Sequence, residues 1–139
     1  MTRRAVLALA LLLAGCGGPA PAPPGRLEGY WLSRSPGGTS TLNVAGNRYS
    51  FQGPDRGDWF KGRFTTDARS DPPRLVLLVE DCECDYRGQE VRAVFRLDEG
   101  TLLLAATRPG SEEWPRDVEE ARGVRLLRFE RWPPRVPSR

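Results

Sequence analysis

From residue 27 onward the apolar positions recur at every second residue, in short runs broken by Gly, Pro, Asn and Asp, which is the pattern of half-buried β-strands. The run 90–97 is the clearest: Val91, Ala93, Phe95 and Leu97 stand against Glu90, Arg92 and Arg96. In 58–66, Phe60, Gly62 and Phe64 share one face, with Trp59, Lys61 and Arg63 on the other. Tyr49 and Phe51 share a face of 48–52, and Gly46-Asn47 ahead of them is a hairpin signal, because both residues tolerate positive φ. The middle of 74–80 is apolar on both faces, as in a well-buried strand. The remaining strands are predicted at 27–33, 39–45, 101–107 and 124–132, with Asp98-Glu99-Gly100 as a tight turn. One connection is long, 108–123; a helical turn fits 117–122, while Pro109 and Pro115 preclude a long helix.

Eight short strands joined by brief links predict an all-β domain, a small antiparallel up-and-down eight-stranded barrel closed on itself. A two-sheet β-sandwich built from the same strands is the alternative. The β domain occupies 26–132, and 133–139 reads as a disordered tail.

What precedes the domain has a different grammar. Arg3 and Arg4 lead an apolar run over 5–14, the layout of a secretory signal peptide covering 1–15. The run is too short to cross a bilayer, which takes about 20 apolar residues. Residues 17–25 read Gly-Gly-Pro-Ala-Pro-Ala-Pro-Pro-Gly, so 16–25 forms a stiff tether reaching about 25–30 Å in extended form. Leu13-Ala14-Gly15-Cys16 resembles the lipobox of bacterial lipoproteins. That resemblance implies removal of the signal, lipidation of Cys16 and attachment of the domain to a membrane of the cell envelope through its acyl chains. Gly17, not Asp, follows the cysteine, which resembles outer-membrane sorting; in a Gram-negative host the domain is then expected to face the periplasm.

Within the domain, Gly29-Tyr30-Trp31 resembles the Gly-x-Trp that opens lipocalin and lipocalin-like barrels. The segments Asn47-Arg48-Tyr49-Ser50-Phe51, Gly62-Arg63-Phe64, 97–102 and 126–131 extend the resemblance to a lipocalin-like domain found in bacterial lipoproteins. It implies that Trp31 plugs one end of the barrel and that an arginine of the last strand lies across it, Arg131 first and Arg128 second, with Gly29 part of the same closure. It also implies a small apolar ligand as cargo.

Composition narrows the chemistry. Removing 1–15 takes away two arginines and no acid, so the formal charge of +3 falls by two, and no dense basic block remains to bind nucleic acid. The chain has no histidine, which excludes Ser-His-Asp and Cys-His catalysis and any His-based metal site; no catalytic constellation is recognisable, and no cofactor is expected. Apart from Cys16 the only thiols are Cys82 and Cys84, inside Asp81-Cys82-Glu83-Cys84-Asp85. A local disulfide, free or intermolecular thiols, and a metal site are all open to such a pair; two soft ligands without a further cysteine pair or histidine make an incomplete tetrahedral set. Phe51, Phe60, Phe64, Leu77, Phe95, Leu104 and Phe129 are many bulky groups for a short barrel, so the expected interior is filled. The expected role is therefore a structural or protein-interaction module of the envelope, with an envelope protein as partner. Binding of a small apolar ligand inside the barrel is the alternative.

Overall fold

In the computed structural model, residues 26–133 are described; the signal segment 1–15, Cys16, the tether and the tail from 134 onward lie outside the described residues. Nine strands follow in order: β1 (Gly29–Ser35), β2 (Gly38–Ala45), β3 (Arg48–Gln52), β4 (Trp59–Asp67), β5 (Arg74–Leu78), β6 (Asp81–Cys82), β7 (Glu90–Asp98), β8 (Thr101–Thr107) and β9 (Val124–Trp132). Each pairs antiparallel with its sequence neighbour, apart from the two-residue β6, which adds to β4. The sheet closes because β9 also pairs with β1, setting Tyr30 opposite Trp132, Trp31 opposite Arg131 and Leu32 opposite Glu130. The result is a closed eight-stranded up-and-down barrel of lipocalin-like architecture with one short extra strand, and not a two-sheet sandwich.

Antiparallel order fixes the two ends. Gly29, the 46–47 hairpin, the 68–73 loop, the 99–100 turn and the end of β9 lie at one end. The loops 36–37, 53–58, 79–89 and 108–123 lie at the other. The inward row on each strand is the apolar one, with Leu42, Val44, Phe64, Leu75, Phe95, Leu102, Leu104 and Phe129 all buried.

The predicted strand 74–80 is broken. Phe64 faces Leu77, while three residues earlier on β4 Lys61 faces Asp81, four residues later on the partner. One extra residue therefore stands on the partner side, a β-bulge at 78–80. It resets the alternation, so that Leu77 and Val79 point inward, Glu80 outward and Cys82 inward again beside Phe60. Glu80 instead binds Arg63 on the outside at 3.0 Å.

The long connection is a strap over the outer face of β5 and β7. Trp114 is flanked by the guanidinium groups of Arg74 at 4.4 Å and Arg92 at 5.3 Å from its ring centroid. Arg92 also donates to the Glu112 carbonyl, and Arg96 pairs with Asp117 at 3.5 Å. Beneath it Val94 and Ala105, which point out of the barrel, are buried all the same. The helical turn expected at 117–122 does not form: the Asp117 carboxylate accepts from Arg96 and from the Val118 N–H, and the chain bends there.

Candidate functional site

One end of the barrel is plugged. Trp31 has no exposed surface, its indole N–H donates to the Leu27 carbonyl at 2.9 Å, and the Arg131 guanidinium lies 4.3 Å from its ring centroid. Arg131 also donates to the carbonyls of Glu28 at 2.6 Å and Arg26 at 3.3 Å, tying the entering chain to the last strand. Arg128 is exposed on the outward row of β9, opposite Leu103, and takes no part. Gly29 lies beneath the arginine with φ of +133°, and a Cβ there would come within 2.6 Å of Nη1. Both the backbone angle and the close approach call for glycine.

Behind this plug the bulky side chains expected to fill the barrel line a cavity of about 450 Å³ instead. Its floor is near Leu27, its wall includes Leu42, Phe51, Phe60, Phe64, Leu77, Phe95, Leu104 and Leu127, and it opens between Thr107–Pro109 and Gly123–Arg125 at the opposite end. A filled interior needs side chains long enough to meet across the axis. Ala93 and Ala106, paired across β7 and β8, stop short. The two hydroxyls on the wall are already engaged. Tyr49 donates to the Leu78 carbonyl at 2.9 Å, and Thr107 to the Arg92 carbonyl at 3.0 Å. Burial, and then the charge of Glu80, push the Tyr49 hydroxyl above its usual range, so it stays protonated and keeps donating. The wall thus presents an almost wholly apolar surface.

Two arginines at the opening belong to the same lining, Arg108 and Arg125. Arg125 occupies the inward row of β9 with Leu127, Phe129 and Arg131, lies 5.2 Å from the Phe51 ring centroid, and pairs with Asp58 of the 53–58 loop at 2.9 Å. Neither arginine stood out in the sequence. The available signal was parity, since counting back by twos from Phe129 puts a charged residue on an apolar face.

Cys82 and Cys84 are joined by a disulfide with Cα atoms 5.2 Å apart, in the loop region beside the opening. A bent backbone brings the pair within bonding range, and so short a loop restrains the unfolded chain very little. Among the described residues no three acidic, cysteine or histidine side chains converge as metal ligands. No helix there is long and apolar enough to cross a membrane. No protein-family model, curated protein or solved structure matches the chain.

Proposed function

We propose that the barrel is a binding module that holds a small apolar ligand, carried on an envelope membrane by acylated Cys16. The observation that carries the reading is the cavity. At about 450 Å³ it falls within the roughly 300–1,000 Å³ of small-molecule sites, and an apolar lining with a few polar groups at one end is their usual character. A purely structural or protein-interaction barrel, the other role open to this fold, has no need of an interior left open along its length. The reading involves no chemistry on the ligand, in keeping with a chain that lacks histidine.

A neutral fluorescent probe tests it. N-phenylnaphthylamine should bind the purified protein one to one with enhanced, blue-shifted emission, and Ala106→Phe, which puts a ring into the cavity from β8, should abolish that signal while the circular dichroism stays unchanged. No saturable binding by the native protein would return the barrel to a structural role.

The anchor rests on Leu13-Ala14-Gly15-Cys16 and the tether after it. Cys16→Ser should move the protein from the membrane fraction to the soluble fraction, because a single thiol carries all of the attachment. Retention in the membrane fraction would mean that another part of the chain holds it there.

A further inference from the structure

The walls of the cavity and its mouth differ in kind. Every hydroxyl on the wall already donates to a backbone carbonyl, so the inner part of a ligand meets no polar side-chain group seeking a partner. Among the described residues the only charged ones on the lining are Arg108 and Arg125, at the mouth, and no carboxylate joins them there. Arg125 gives Nη1 and Nη2 to Asp58, while its Nε makes no hydrogen bond among the described residues. Arg108 is exposed and has no ion-pair partner among them. Cations at the rim of a low-dielectric hollow draw in anions, because apolar walls focus the field.

The cavity is long: lining residues run along β8 from Leu102 to Thr107, about 17 Å of strand, or about 13 Å along the axis of a barrel whose strands tilt by roughly 40°.

We infer that the ligand is an amphiphile whose apolar part fills the barrel and whose anionic head, a carboxylate or a phosphate, is bound at the mouth by Arg125 and Arg108. This rests on the ligand-binding reading above and adds the head group. Asp58 acts as the resident anion: it holds Arg125 in place when the barrel is empty and competes with the head group when it is filled. A guanidinium fork suits either oxyanion, which is why the two heads are tested separately.

The experiment is displacement of N-phenylnaphthylamine from the delipidated full chain by palmitate, hexadecanol and palmitoyl lysophosphatidate, at a pH where palmitate is ionised. At least one anionic ligand should displace the probe at concentrations about tenfold or more below hexadecanol, the scale set by one charge-assisted hydrogen-bonding group. Palmitate in that role assigns a carboxylate head, and lysophosphatidate a phosphate. Arg125→Gln should remove most of the preference, Arg108→Gln should reduce it, and Asp58→Asn should enlarge it. In each variant displacement by hexadecanol should change far less than displacement by the anions, and an unchanged circular dichroism spectrum shows that the barrel is intact. Equal displacement by hexadecanol and both anions would overturn the inference, as would a preference that survives both arginine substitutions. Failure of the neutral probe itself to bind is a different result, which removes the cavity reading and this one with it.

Discussion

Trp31→Ala should unfold the domain or leave it only marginally stable. The side chain has no exposed surface and plugs the end of the barrel, and losing a buried tryptophan costs about 3–5 kcal/mol, against a total stability of about 5–15 for a domain of this kind. The loss is not confined to packing. Trp31 and Arg131 are paired across the β1–β9 seam, which has only three residue pairs in register, and that seam is what makes the sheet a closed barrel. Without the indole, Arg131 keeps its bonds to the Glu28 and Arg26 carbonyls but loses the ring beneath its guanidinium. Arg131→Lys should cost less, about 1–2 kcal/mol, because the ammonium keeps a cation near the ring but gives up the forked contact to two carbonyls. Urea denaturation followed by circular dichroism measures both. A Trp31→Ala protein within about 1 kcal/mol of wild type would show that the seam holds without its plug.

Gly62→Ala should destabilise the domain by about 2–5 kcal/mol, although most glycine-to-alanine changes in a strand gain stability. Gly62 lies on β4 at the bulge, and a Cβ there would overlap the Leu78 carbonyl oxygen, with the Leu78 carbonyl carbon and the Glu80 nitrogen both 3.1 Å away. These are backbone atoms, so no side-chain rotation can relieve the overlap. The same carbonyl accepts from Tyr49, which is paired with Gly62 across β3 and β4, and Glu80 donates its N–H to the Lys61 carbonyl at 2.9 Å. Moving Leu78 away would therefore strand a buried tyrosine hydroxyl and disturb the bulge that turns Cys82 inward. The sign of the change decides the matter: a stabilised Gly62→Ala protein would mean that the bulge is loose enough to move aside.

Period-two alternation along the chain was enough to place the eight principal strands and the inward rows of β3, β4 and β7, because a strand with one dry face must repeat apolar residues at every second position. Link length pointed to an up-and-down arrangement, since apart from 108–123 the predicted links are too short for a strand to skip its neighbour. Alternation says nothing about whether the first strand meets the last, and the same strands would serve a sandwich. Barrel closure was decided by the pairing of Trp31 with Arg131 and by the pairing of β3 with β4. The bulge was invisible because Val79 continues the apolar run, and only the register between β4 and its partner reveals the extra residue. The interior was misjudged for a related reason. A list of bulky residues gives the volume of side chains, whereas the space they must fill is set by strand number, tilt and stagger. Nothing but its parity marked Arg125 in the sequence, and only the closed barrel puts its row on the inside, with the charge left at the mouth of an apolar hollow.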